Sequence, residues 1–308
     1  MVNNLLIVLY LISPMYGIFR TIIMLFIVFL NPPSEKNLMI LDFGLFVFIL
    51  SVYSTYFSDE PLKSLLGDVH IGGGALDIIL TMYYPHFNES NKRVFVYTAL
   101  FVSLLIILGF GSEHKREISN GLFASASFIS NLYIRFVFLA VSIYCRSRTA
   151  TFIICVSIFL QLKSIKLKSL IMIMAIAFLL YESYLRFQYI DSSFLDSLTT
   201  NRFYQWMNLP QGVQGFDVYM SNIKTAKYHN AFVDMRVVSG TWLFSLVWLL
   251  FIISYDYFGI PLYLILSFIF IQMFWYNSSI ILFGWFFLFN TYKISTNNFY
   301  QEEVFYEE

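Results

Sequence analysis

Charge is what this chain has least of. Only 12% of its 308 residues are Asp, Glu, Lys or Arg, and the 19 basic and 19 acidic side chains cancel. With no net charge there is no basic field to attract nucleic acid and no acidic surface to gather a cationic substrate. Cysteine is almost absent. Cys145 and Cys155 lie in or beside apolar runs, nothing brings their sulfurs within the short reach of a disulfide, and no role is assigned to them. The four histidines, His70, His86, His114 and His229, are scattered. Neither HExxH nor CxxC occurs, and no carboxylate cluster has ligand spacing, so neither a metal nor any other cofactor is expected. The glycines of HIGGGALD, from His70, lack the preceding strand and trailing lysine of a phosphate loop and read as a flexible turn. Internal repeats, proline-rich linkers and low-complexity tracts are missing, so residues 1–308 read as a single domain. The opening MVNNLLIVLY has no basic leader and no small-residue cleavage pattern before Pro14, and is expected to be retained.

Apolar residues fill the space that charge leaves. They make up 58% of the chain, with 35 Phe and 22 Tyr, and the mean hydropathy is +0.69. That is membrane-class composition, and it predicts an all-α, polytopic transmembrane helix bundle forming one integral membrane domain. A span takes about 20 mostly apolar residues. Eight or nine runs qualify, roughly 4–30, 38–57, 94–111, 121–144, 149–162, 168–185, 238–254, 258–275 and 277–292. Pro14 and Arg20 interrupt the first, which reads as one kinked span or two. The tightest lysine cluster, Lys163, Lys166 and Lys168, places its turn in the cytoplasm. Alternation then puts 58–93, 145–148 and the large loop 186–237 outside, although basic residues are more numerous in those outside loops.

Polar chemistry concentrates at two places. In CRSRTATFI, Arg146 and Arg148 stand at the mouth of an apolar run. Such arginines either snorkel to headgroup phosphates or form an anion site, since guanidinium is planar, always charged and forks onto phosphate oxygens. In the large loop, Arg202 and Trp206 are four apart, so on a helical turn they would share a face, as a cation–aromatic pair or as an interfacial anchor. In KYHNAFVDMRVVSG, His229, Phe232, Val233, Arg236 and Gly240 follow the period of one helix face. Histidine suits proton transfer near neutral pH, so His229 is a candidate general base or else a structural group. Asp234 could orient it, though five residues on it would point roughly 140° away on a helix. Arg20 and Arg135 are the only basic residues well inside a span.

Taken in order, these residues resemble the bacterial O-antigen polymerase and ligase superfamily over about residues 145–245. The resemblance runs through Ser147 and Arg148 opening a span, a short lysine-bearing turn, a returning span and a large outside loop. In that loop come Arg202 with Trp206, then Pro210, Gly212 and Gly215, then His229, Asn230, Ala231 and Phe232, with Gly240 leading into the next span. What the resemblance implies is a metal-independent, GT-C-like glycosyltransferase of the bacterial inner membrane, multi-pass, with its active site facing the periplasm. It would polymerise oligosaccharide repeat units of O-antigen or a similar surface polysaccharide. Donor and acceptor would both be linked to undecaprenyl diphosphate, membrane lipids would surround the protein, and a chain-length regulator would be a further partner. By the same resemblance Arg148 and Arg202 would hold the diphosphate, and Arg146 and Arg236 are added as further diphosphate candidates from their charge and position. His229 would activate the acceptor hydroxyl, with Trp206 and Asn230 supporting the site, and Asp234 joins them as the group that could orient His229. A ligase of the superfamily is the alternative within the class; a non-enzymatic lipid-linked glycan transporter or flippase, with arginines lining a pathway, is the alternative outside it.

Overall fold

The structure is a computed structural model that describes residues 2–12, 17–30, 67–68, 72–73, 89–110, 115–187, 202–209, 211, 230–274, 281, 283–289 and 291–292. It is all-helical apart from one two-residue antiparallel ladder, in which Gly67 pairs with Gly73 and Asp68 with Gly72. That ladder takes in two glycines of the segment expected to be a flexible turn, and it rests on the helix Gly17–Leu30.

The N-terminal apolar run is two helices, Val2–Ile12 and Gly17–Leu30, which pack on each other. The helix Glu89–Ile107 packs on Val2–Ile12. The run expected as one span over 121–144 is broken. It comprises Lys115–Ile118, a π-helical turn Ser119–Phe123, a short helix Ala124–Phe128 and, after a break at 129–131, the helix Leu132–Tyr144. Asn131 starts that last helix by accepting the Ile134 N–H on its side-chain oxygen at 3.1 Å. Arg148–Gln161 and Ile165–Phe187 follow, then Arg202–Met207, Ala231–Ser239, Leu243–Ser254 and Leu262–Phe274. The run expected over 277–292 has helical residues at 281, 283–289 and 291–292.

Arg148–Gln161 is the hub. It packs against Leu132–Tyr144, Ile165–Phe187, Ala124–Phe128, Leu262–Phe274 and the π-helical turn. The aromatic excess of the sequence is spent mostly around residues 283–289, where Phe95 stacks on Phe287 with centroids 4.1 Å apart and Phe268 on Trp285 at 5.5 Å. Gly284 lets this helix touch the π-helical turn, since a Cβ there would lie 2.2 Å from the Gly121 carbonyl oxygen.

Polar side chains are buried alongside the apolar core, and many large apolar side chains are exposed. Arg135, Asn120, Glu182, Asp234, Gln272 and many serines are buried, whereas Phe29, Tyr133 and Ile165 are 83%, 84% and 78% exposed. The buried serines largely satisfy themselves on carbonyls of their own helices, as Ser103 does on Ala99 at 2.8 Å and Ser183 on Leu179 at 2.7 Å. Among the described residues no helix is long and apolar enough to cross a membrane. The four helices of 12 to 14 residues between Leu132 and Phe274 reach about 20 Å at about 1.5 Å per residue, short of a hydrocarbon core of about 30 Å. The 23-residue helix Ile165–Phe187 carries Lys166, Lys168, Glu182 and Arg186.

Candidate functional site

The turn between Leu132–Tyr144 and Arg148–Gln161 is where the polar groups converge. The first of these helices ends with the Ser147 N–H donating to the Ser142 carbonyl at 3.0 Å and the Arg146 N–H to the Ile143 carbonyl at 2.8 Å. This paired closure needs a left-handed residue just past the helix, ordinarily glycine. Glu89–Ile107 closes the same way with Gly109 at φ 93°, and Tyr255–Phe258 with Gly259 at φ 75°. Here the position belongs to Arg146, at φ 52°, the one described non-glycine residue with positive φ. Its side chain is exposed.

Ser147 is the N-cap of Arg148–Gln161, but its hydroxyl makes no cap bond. It donates instead to the Asn120 side-chain oxygen at 2.8 Å. Asn120 belongs to the π-helical turn, defined by the Ala124 N–H reaching the Ser119 carbonyl, and its own carbonyl accepts the Trp285 indole N–H at 3.2 Å. The first-turn N–H groups of Arg148–Gln161 thus lack a side-chain cap at the positive end of the helix. Arg148, the first residue of that helix, reaches across to Ile165–Phe187 and donates from Nη1 to the Ser183 Oγ at 3.0 Å. Glu182, beside that serine, is buried, and the Thr151 hydroxyl one turn on from Arg148 is buried with no partner among the described residues.

Cys145 lies under the same turn. Burial pushes its thiol pKa up, against smaller opposing effects from a hydrogen bond with Ser119 and the charges of Lys115 and Arg116. Both cysteines are free and buried.

The second group lies on Ala231–Ser239. Asn230, expected to support chemistry, caps this helix: its side-chain oxygen accepts the Phe232 and Val233 N–H groups at 3.0 and 3.1 Å. The helix starts only at Ala231 and ends at Gly240 in the left-handed conformation. The single face expected over 229–240 therefore runs over 231–239, with Gly240 as its cap. Asp234 is buried in the first turn. Arg236 is half-buried, and its Nη1 is shielded with no acceptor among the described residues. The Ser245 hydroxyl donates to the Phe232 carbonyl at 2.6 Å and ties this helix to Leu243–Ser254. Ala231–Ser239 also packs on Leu262–Phe274, which packs on the hub.

Arg202 and Trp206 stand on the one short helix Arg202–Met207, with Trp206 half-buried. The Arg202 side chain and the whole of His229 lie outside the described residues.

Asn120, Ser183 and Glu182 escaped the reading of the sequence. Only Glu182 left a signal there, as one of two acids, with Asp42, inside an apolar run. Arg135, visible as a basic residue deep in a span, proves to be a backbone staple. Its Nε donates to the Ser130 carbonyl at 2.9 Å, its Nη2 to Phe128 at 3.2 Å and its Nη1 to Ser157. Among the described residues no group of three or more His, Cys, Asp or Glu could hold a metal.

Comparison with known protein families, curated proteins and solved structures finds no significant match.

Proposed function

We propose that this chain is a multi-pass helical membrane glycosyltransferase that polymerises polyprenyl-diphosphate-linked repeat units of a bacterial surface polysaccharide. The observation that carries the reading is Arg148, held by Ser183 at an uncapped helix N-terminus. Helix dipole and guanidinium both favour an anion there, and a diphosphate leaving group is such an anion. Arg146 strengthens it: a bulky cation holds a left-handed position that glycine fills in the equivalent turns, and such strain accumulates at functional sites.

The outward-facing apolar side chains support membrane embedding. The break at 129–131 fits as well, since Arg135 satisfies the freed carbonyls, and irregular backbone at membrane depth needs such partners. With all three guanidinium nitrogens on backbone carbonyls, Arg135 is poorly placed to line a transport pathway. In the proposed reaction the acceptor hydroxyl attacks the anomeric carbon, the bond to the diphosphate oxygen breaks, and the proton passes to a base. His229 is that base by resemblance, and Arg148 with Arg146, Arg202 and Arg236 would stabilise the leaving charge.

The test is to produce Arg148→Ala, Arg202→Ala and His229→Ala in the native host, confirm membrane fractionation, and run the surface glycans on a gel. Collapse of the ladder to a single repeat unit on the core supports a polymerase. Loss of all glycan from the core would identify a ligase, and wild-type ladders from all three would overturn the site.

A further inference from the structure

We propose that Ser183 is the positioning residue for Arg148, fixing the guanidinium without cancelling its charge, a role resting on the glycosyltransferase reading above. Ser183 is 2% exposed on the helix Ile165–Phe187. A hydroxyl has one proton to give and lone pairs with which to receive. Here the proton goes to the Leu179 carbonyl at 2.7 Å. Towards the hub helix the oxygen is therefore an acceptor, and it takes the Arg148 Nη1 at 3.0 Å. The bond to Leu179 fixes which way that acceptor faces.

That the tether is a serine matters for charge. Arg148 is half-buried at the first position of the hub helix, and its long side chain has many rotamers to lose on meeting an anion. A hydrogen bond already made in the free protein removes part of that cost. A carboxylate could tether the guanidinium equally well, but it would neutralise the charge and compete with a diphosphate for the same donors. A neutral hydroxyl leaves the full positive charge in place and takes one of the five N–H donors a guanidinium carries. Arg135 shows the opposite use, with all three of its nitrogens spent on backbone carbonyls. One arginine is consumed by the fold, and the other is held in place and still charged.

The experiment uses the full chain purified in detergent, with lipid-linked oligosaccharide extracted from host cells lacking the protein as substrate, and long single-turnover time courses keep slow variants measurable. Ser183→Ala orphans no backbone group, because within an α-helix the carbonyl four residues back also receives the backbone N–H. It is expected to stay monodisperse and to lower kcat about ten- to a hundredfold with a smaller change in KM, since the leaving charge that Arg148 meets grows in the transition state. Ser183→Thr keeps the hydroxyl and should recover most of the rate. Should Ser183→Ala aggregate, Ser183→Cys, whose sulfur is a weak acceptor, carries the same comparison. Arg148→Ala combined with Ser183→Ala should be no slower than Arg148→Ala alone, because a residue that works through Arg148 then has nothing to act on. Wild-type kcat in Ser183→Ala overturns the proposal, and a double variant in which the two losses multiply overturns it in favour of a structural role. If Arg148→Ala loses activity while Ser183→Ala does not, the glycosyltransferase reading stands without this inference. If Arg148→Ala is also wild type, the site itself falls.

Discussion

Ser147 donates its hydroxyl to the side-chain oxygen of Asn120, 2.8 Å away and 27 residues upstream. The bond joins the turn that presents Arg146 and Arg148 to the π-helical turn at the crossing of Gly121 and Gly284. π-helical turns inside α-helices often mark functional positions, and here the turn leaves a carbonyl for Trp285 and an amide for Ser147. Asn120 thus bonds to both the turn of the candidate site and Trp285 in the core.

Gly284→Ala tests that crossing. The added methyl would lie 2.2 Å from the Gly121 carbonyl oxygen and 2.7 Å from the Ser125 Oγ, and backbone cannot yield as a flexible side chain does. A loss at or above the roughly 1–3 kcal/mol typical of overpacking is expected, seen as a collapsed melting temperature in detergent. Gly109→Ala is the control, with open space around its Cβ and only the left-handed backbone cost of about 1–2 kcal/mol.

Arg146→Gly separates stability from function. Relief of the left-handed strain, about 1–2 kcal/mol, exceeds the roughly 0.5–1 kcal/mol glycine loses in backbone entropy. The variant should melt no lower than wild type while its surface glycan ladder shortens. A full-length ladder would show that the arginine at φ 52° serves neither substrate nor fold.

Arg135→Leu should be far worse than its burial of one more apolar side chain suggests. It leaves the Ser130, Phe128 and Ser157 carbonyls without their donor, at about 1–3 kcal/mol for each buried unsatisfied group. Arg135→Lys, which cannot fork to three carbonyls, should fall between. Melting temperatures and monodispersity on size exclusion read the order, and a Leu variant as stable as wild type would refute the staple.

Cys145 sets an alkaline limit. Burial raises its pKa in the folded state, so the folded chain holds this proton more tightly than the unfolded one. The associated stability is fully present below the ordinary thiol value of about 8.5 and is lost as pH rises through the higher folded value. Melting curves from pH 7 to 11 should fall more steeply for wild type than for Cys145→Ser, and parallel curves would show that the thiol does not contribute.

The helical class was legible because composition and apolar run length report it without any partner. Helix ends were misplaced even where a local motif writes them: Asn131 was read through as part of one span, and Asn230 and Gly240, which cap Ala231–Ser239, were read as a supporting group and as part of the helix face. The break at 129–131 was hidden by the continuous apolar run, and the freed carbonyls there are met by Arg135, whose third partner, Ser157, lies on another helix. The pairing of Arg148 with Ser183 was hidden because 35 residues of sequence separate a contact that only helix packing creates. By itself, then, the sequence determined that helices form, roughly where they lie, and that Arg146 and Arg148 stand at one of their mouths. Tertiary structure alone decided that Ser147 serves Asn120 in place of its own helix, that Arg146 takes a glycine's conformation, and that Glu182 is buried next to the serine Arg148 holds. The physical reason is range: propensity and capping act within a turn of helix, whereas burial and side-chain hydrogen bonds between helices depend on which faces meet.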